Sequence, residues 1–402
     1  MRCTISEQID TIAKKLGAEE ASSNNIAEAI NGLAVALGAE GASSNNIVEA
    51  LEKVVANVKG GGSDTRFKDL VERTMTSAYG SEVTTIGASA FQKYSSLTFV
   101  DFPACTSIGG SAFQSCSSLT SVDFPSCTSI GSYAFMDCRS LTSVSFPVCT
   151  SIGGSAFRSC SSLTEANFPA CTSIENFAFL NCSSLASVDF PSCTSIGSYA
   201  FKDCYSLTSL SFPVCTSIGS SAFQNCYSLT SVNFPACISI RAFAFYNCSS
   251  LTSVTFPVCT SIGSSVFLSC SSLTSVDFLS CTSVGESAFQ NCSSLTSVSF
   301  PACTNIGIYA FTACSSLASA NFPACTVISP NAFLSCYNLV SLYLTGSSVC
   351  ALVNTNAFTL TPIAGYSESA GQYGSIYVPE SLVNAYKTAN NWSYFSDRFV
   401  GI

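Results

Sequence analysis

The sequence predicts a repeat solenoid preceded by a small all-α segment. Three observations carry this: a phenylalanine that returns every 22 residues from Phe91 to Phe333, a V-x-F alternation in one half of each unit, and a glycine in the other. In the unit SLTSVDFPSCTSIGSYAF, Ser118 to Phe135, the alternating stretch Thr120 to Phe124 reads as a short strand, since every second side chain shares a face. Gly131 in the second half reads as a turn. One strand and one return leg per unit make one coil, and such a chain buries its apolar face only against neighbouring coils. The halves share a sub-period of 11, because Phe113, Cys116, Ser118 and Leu119 match Phe124, Cys127, Ser129 and Ile130.

Bulk composition narrows the function classes. Only 10% of the 402 residues are charged and the net charge is −9, so Ser, Thr and Asn must cover the solvated faces. No Lys/Arg run is present, which argues against nucleic-acid binding and against docking on anionic membranes. No apolar stretch is long enough for membrane insertion. The opening MRCTISEQIDTIAKKLGAEE lacks an apolar core, so no signal peptide is expected.

Residues 1–58 carry a helical repeat of their own, with a period of 21. Thr4, Asn25 and Asn46 each precede a glutamate by three positions (Glu7, Glu28, Glu49), the pattern of a capping box. Ile5, Ile9, Ile12 and Leu16, with their equivalents, fall on one helical face. Three helices this short bury little area alone, so the segment is expected to form a homo-oligomer or meet an assembly partner, a loosely ordered leader being the plain alternative. Residues 59–64 form a glycine-rich linker around Gly60, Gly61 and Gly62. Residues 65–90 are expected to hold a helical cap and lead-in, with Phe67, Leu70 and Val71 on one side. The repeats then occupy 91–344. The grid fails from Cys350, and Phe358 arrives 25 residues after Phe333. Residues 345–402 therefore read as an irregular last repeat and a C-terminal cap. Ile376–Val378 is its edge strand, Pro379 opens a helix with Leu382, Val383 and Tyr386, and Trp392 is its core.

Leu119-x-x-Val122-x-Phe124-x-x-Cys127 matches the leucine-rich-repeat signature, and Ile130, Gly131, Ala134 and Phe135 complete a unit that resembles the BspA-like leucine-rich repeats. The resemblance covers about residues 80–358. It implies a curved right-handed coil with a parallel β-sheet on one face, and a surface or secreted protein that engages host or environmental macromolecules. The helical repeats and the tail YVPESLVNAYKTANNW resemble segments beside such repeats in prophage-encoded structural proteins of gut Firmicutes. That second resemblance implies a virion or tail-associated protein made in the cytoplasm, so cell-surface, extracellular and virion locations all stand.

Of 24 cysteines, 22 lie on an unbroken 11-residue grid. A strand spacing of about 4.8 Å puts stacked Cβ atoms beyond the usual disulfide separation. There is no C-x-x-C and no histidine, so a zinc site would need thiolates from stacked coils. Cys105, Cys116, Cys127, Cys138, Cys149, Cys160 and their equivalents read as a reduced, core-filling ladder, with a disulfide or a metal as competing readings. Cys3 and Cys350 lie off the grid and read as the more reactive thiols. Ser118 and Ser129 are expected to cap turns. A serine nucleophile would need a base, and none stands near one, so neither an enzyme nor a cofactor is expected.

Two surfaces remain for a protein or glycan ligand. On the return leg, Tyr133, Phe177, Tyr199, Phe243 and Tyr309 stand two residues before the repeating Phe, and Tyr205 and Tyr227 follow a cysteine. They can pack along the coil or form a recognition strip. The alternative is the sheet face, with Asp101, Asp123, Asp189 and Asp277 between the strand's core residues. The expected function is non-enzymatic binding or adhesion through an extended surface, or else a structural spacer in a phage tail or surface assembly.

Overall fold

A computed structural model describes residues 76–81, 83–365 and 373–402. The helical repeat of 1–58, the glycine linker, Cys3 and the apolar set Phe67, Leu70 and Val71 lie outside the described residues. The chain divides into two compact units, residues 1–185 and 186–402.

Both units are built from the same coil. In the first, the three-residue strands Ser77–Tyr79, Phe99–Asp101 and Ser121–Asp123 pair in parallel, and Val100 faces Val122 one repeat on. The first described coil thus opens at Ser77, inside the stretch expected as lead-in. The return leg is not a plain turn. It carries a second, two-residue strand, as at Ser107–Ile108, Ser129–Ile130 and Ser151–Ile152, and these pair in parallel too. In the second unit the same short strands run as an unbroken parallel ladder from Ser195–Ile196 to Ala351–Leu352.

Between the two strand layers lie two columns of phenylalanines. Phe91, Phe113, Phe135 and Phe157 stack at 5.1–5.2 Å with planes within 8°. Phe201, Phe223, Phe245 and Phe267 repeat this at 5.2–5.5 Å. The second column meets the first at steep angles, as Phe124 does Phe135 at 66°. This alternation of offset stack and edge contact is what ring quadrupoles favour. The long-strand ladder breaks after Ser121–Asp123, Ser209–Ser211 and Ser275–Asp277. There the central residues Val122, Leu210 and Val276 are only half-buried. The phenylalanines spanning the breaks are 5.7–6.0 Å apart, and those at intact steps range from 5.3 Å at Phe146–Phe168 to 5.8 Å at Phe102–Phe124. At these steps long-strand pairing is lost while the short strands of the same coils stay paired.

Backbone hydrogen bonding between coils is reinforced by threonine most often, and by serine at Ser183, Ser280, Ser293 and Ser315. Thr120 Oγ1 donates to the Thr98 carbonyl at 2.9 Å, and Thr128 Oγ1 to the Thr106 carbonyl at 2.9 Å. Ser129, expected to cap a turn, lies in a short strand and donates to the Ser107 hydroxyl. The turn expected at Gly131 begins one residue on and runs from Ser132 to Asp137. Left-handed backbone occurs at Tyr133 and Asp137, not at Gly131. Glycine is needed because coils touch here: a Cβ on Gly131 would lie 2.6 Å from the Gly110 nitrogen. Glu175, Arg241 and Ser329 occupy this position in three coils, so some coils open enough to admit a side chain. At Gly219 the clash is backbone on both counts, 2.5 Å from Gly197 C and from Ser198 N, whereas a Cβ on Gly154 meets nothing closer than 3.4 Å. Gly219→Val is therefore expected to lower unfolding free energy by about 1–3 kcal/mol, the range for overpacking. Gly154→Ala should change it by less than about 0.5 kcal/mol. Paired urea melts check this, and equal effects would refute the close-approach argument.

The C-terminal region closes the second unit. Ser375–Val378 is not an edge strand: it pairs with Ser341–Tyr343 on one side and with Phe399–Gly401 on the other. Pro379 precedes a 3-10 turn, Glu380–Leu382, that leads into the helix Val383–Thr388. Tyr386 and Trp392 are fully buried and pack edge to face at 5.7 Å, while Trp392 reaches Phe358 at 5.8 Å. These rings cover the end of the phenylalanine column, which an open solenoid would leave wet.

Candidate functional site

Each coil holds two non-glycine residues with φ near +60°, one two positions before the repeating Phe and one two positions after it. Inter-coil hydrogen bonding enforces this. Tyr199 N–H donates to the Ser220 carbonyl at 2.9 Å, Asp203 N–H to Gln224 at 2.9 Å, and Phe243 N–H to Ser264 at 3.0 Å. Left-handed backbone at a bulky residue costs about 1–3 kcal/mol and persists only where the surroundings over-determine it. Most coils put Ser or Asn there. Tyr133, Phe177, Tyr199, Phe243 and Tyr309 are the costly exceptions.

At two places in the first column a serine stands between two aromatic residues. Ser155, between Tyr133 and Phe177, and Ser221, between Tyr199 and Phe243, are each only 4% exposed. Ser89, with no aromatic on the adjoining coil, is half-buried. The rings thus cover neighbouring serines, yet Tyr133 keeps 46% and Phe243 42% of its surface exposed. Packing and exposure coexist in the same residues. Tyr309 stands three coils beyond Phe243 and does not join it.

In the second unit the two columns make a cluster. Tyr205 and Tyr227 stack at 5.4 Å with planes 9° apart, both exposed. Beside them runs a polar ladder: Asn225 Nδ2 donates to Asp203 Oδ1 at 2.7 Å, and Asn247 Nδ2 donates to Asn225 Oδ1 at 3.1 Å. Asn247 Nδ2 also lies 3.5 Å from the Tyr227 hydroxyl. Lys202 Nζ sits 5.6 Å over the Tyr199 ring, and Phe243 meets Tyr246 edge to face at 6.1 Å. Partial burial, and then the Asp203 carboxylate, push the Tyr205 hydroxyl above its ordinary value. Stacking turns the tyrosine faces toward each other, so edges and hydroxyls face outward. Such a patch can hold a ligand by apolar edge contact and hydrogen bonds. Spacing alone did not flag the amide ladder, although Asp203, Asn225 and Asn247 share one repeat position.

The sheet face is less concentrated. Asp101 and Asp123 are neighbours across one strand pair, whereas Asp189 faces Ser211 and Asp277 faces Thr255. Among the described residues no group of three or more His, Cys, Asp or Glu could hold a metal. Two aromatic rings stand together on this face at its C-terminal end. Tyr343 and Tyr377 stack there at 4.5 Å, next to the exposed Val400. The cue was missed because the spacing is irregular beyond Tyr343.

The cysteines line the interior. Those described, Cys105 through Cys350, are all buried, and none is in a disulfide. In one column each thiol donates to the preceding coil, as Cys116 Sγ to the Phe91 carbonyl at 3.0 Å and Cys138 Sγ to Phe113 at 3.1 Å. Cys160 does the same to Phe135. In the other each donates two residues ahead: Cys105 to Ser107, Cys127 to Ser129 and Cys149 to Ser151, at 3.2–3.3 Å. Burial pushes Cys116 and Cys127 up to about 12 and Cys149 up to about 11.

Parallel strands, a 22-residue coil and an L-x-x-V-x-F-x-x-C core define a leucine-rich-repeat protein. A family model, the BspA type leucine-rich repeat region (6 copies), matches residues 75–185, 150–258 and 238–364, and the chain belongs to that family. A leucine-rich repeat protein of Bacteroides ovatus superposes with a TM-score of 0.58 at 26% identity, covering 80% of this chain and 88% of that one. A leucine-rich cell surface protein of Faecalibacterium prausnitzii is 30% identical over 62% of this chain and 79% of its own, with a TM-score of 0.38. No curated protein matches the chain. No described helix is long and apolar enough to cross a membrane.

Proposed function

We propose that this chain is a non-enzymatic binding protein that presents an extended surface to a protein or glycan ligand, with the cluster around Tyr205 and Tyr227 as the contact. Two observations support this: Tyr205 and Tyr227 stack while both stay exposed, and Tyr199 and Phe243, on the same and the next coil, occupy left-handed positions that most coils give to Ser or Asn. A spacer would gain stability by losing them. Tyrosines flanked by half-buried amides and one carboxylate match the make-up of recognition surfaces. Resemblance to a protein named for the cell surface fits display at a surface or outside the cell. In this reading residues 1–58 supply attachment or self-association.

The test is binding of the purified chain to glycan and host-protein arrays, then titration of the best ligand against the triple variant Tyr205→Ser, Tyr227→Ser, Phe243→Ser. Affinity is expected to fall at least about 100-fold, the loss of two or more hot-spot contacts, with the far-UV spectrum unchanged. Unchanged affinity would move the site to the sheet face, to Asp101, Asp123, Asp189, Asp277 or the Tyr343–Tyr377 pair. The spacer reading, in a phage tail or surface assembly, draws on the uniform Ser-rich long-strand face. It would gain if no array member bound and the chain co-purified with structural proteins.

A further inference from the structure

Cys350 is not off the ladder: it is the next rung after Cys325, displaced by three extra residues. On regular rungs the cysteine stands two residues before its short strand and its thiol donates to that strand's first carbonyl. Cys281 Sγ lies 3.1 Å from Ser283 O, Cys303 Sγ 3.3 Å from Asn305 O and Cys325 Sγ 3.4 Å from Val327 O. The last short strand, Ala351–Leu352, pairs in register with Val327–Ile328, so Cys350 stands only one residue before it. The strand's first carbonyl is then farther away than on regular rungs, with Cys350 Sγ 3.8 Å from Ala351 O. Its thiol turns instead to Cys325 and donates to that sulfur at 3.3 Å.

The slip also removes the geometric objection to a disulfide along a column. Rungs in register hold their Cα–Cβ bonds parallel at the strand spacing, too wide for the bond. At the slipped rung the register no longer imposes that separation, and the two sulfurs lie 3.3 Å apart. Meanwhile the cap pins the Cys350 backbone from outside: its N–H donates to Tyr386 Oη at 2.9 Å, and Trp392 Nε1 donates to its carbonyl at 2.6 Å. A bond at this point would therefore fasten the cap to the last regular coils.

We propose that Cys325 and Cys350 are a redox-active dithiol that a low-molecular-weight disulfide converts into a disulfide locking the C-terminal cap to the solenoid. The Cys325 thiolate attacks one sulfur of the reagent, forming a mixed disulfide and expelling one thiolate. The Cys350 thiolate then attacks the Cys325 sulfur and expels the second. Two protein thiols and one reagent disulfide become one protein disulfide and two reagent thiols, which carry off both protons. Cys325 is the better first nucleophile. It is 5% exposed where its column mates Cys281 and Cys303 show none, and the hydrogen bond it accepts holds its thiol below the ordinary value. Donating that bond, and then burial, push Cys350 up.

The test uses the full native chain incubated with 2-hydroxyethyl disulfide, quenched in acid, alkylated after unfolding and mapped by chymotryptic mass spectrometry. The expected product is one linked pair, Cys325 to Cys350, with the other ladder thiols alkylated. Hydrogen exchange over 375–402 should slow by about tenfold in the oxidised chain. A link that appears only after unfolding, links of equal yield between regular rungs such as Cys303 and Cys325, a lasting mixed disulfide, or unchanged exchange in the linked chain would each overturn the proposal. The Cys350→Ser chain should give no linked pair while keeping its far-UV spectrum. A Cys325 link to another residue in that variant would count against the pair as a defined site.

Discussion

Raising the pH from 8 toward 11 under reducing, oxygen-free conditions is expected to unfold the solenoid, with a midpoint near pH 10 by proton linkage. The cause is the interior of thiols. Eight of them, Cys116, Cys127, Cys149, Cys215, Cys259, Cys270, Cys281 and Cys303, are pushed by burial from the ordinary 9.0 to about 11 or 12. A thiol whose value is raised on folding is protonated in both states below about pH 9, and its full contribution is then present. Above that the unfolded chain ionises and the folded one does not, so stability falls until the folded value is reached. Each such thiol forfeits roughly 1.4 kcal/mol for each pH unit in this window. At pH 10 the eight together forfeit on the order of 10 kcal/mol, which matches the whole stability of a typical domain. Circular dichroism against pH, with return to pH 8 to show reversibility, reads the effect. A β signal unchanged at pH 11 would mean that the columns are not held as protonated, desolvated thiols.

The sequence made the period, both phenylalanine columns and both cysteine columns legible, because each is a single residue type at a single spacing. Tyr205 and Tyr227 were legible as candidates for the same reason: they stand 22 apart and the structure stacks them. What escaped has physical causes. The ladder of Asp203, Asn225 and Asn247 mixes residue types, and its meaning depends on which oxygen faces which amide. Gly131 suggested a turn, but the reason it must be glycine is close approach of the adjacent coil, which a single repeat cannot display. Cys350 looked stray since three inserted residues hide its rung, and only strand pairing recovers it. Tyr343 and Tyr377 share a face through pairing across an irregular connection, a relation no fixed spacing encodes.

Replacing one interior ring should cost less than alkaline pH does, and act more locally. Phe223 is fully buried, stacked on Phe201 at 5.3 Å and Phe245 at 5.2 Å, and meets Phe212 and Phe234 at 6.2 Å. Phe223→Ala removes the ring's transfer energy and leaves a cavity that rigid neighbours cannot fill, a loss of about 3–5 kcal/mol. The two stacks add about 0.5–1.5 kcal/mol each within that figure. A solenoid's stability is approximately a sum of coil and neighbour-interface terms, so the damage should concentrate at the two interfaces that Phe223 shares. Urea melts should show the loss, and amide exchange should rise most across about residues 201–255, the coils on either side. Tyr227→Ala, which removes an exposed ring of similar size, should cost less than about 1 kcal/mol. If Phe223→Ala cost no more than Tyr227→Ala, or if exchange rose evenly through the whole unit, the stacked column would not be the element that couples coil to coil.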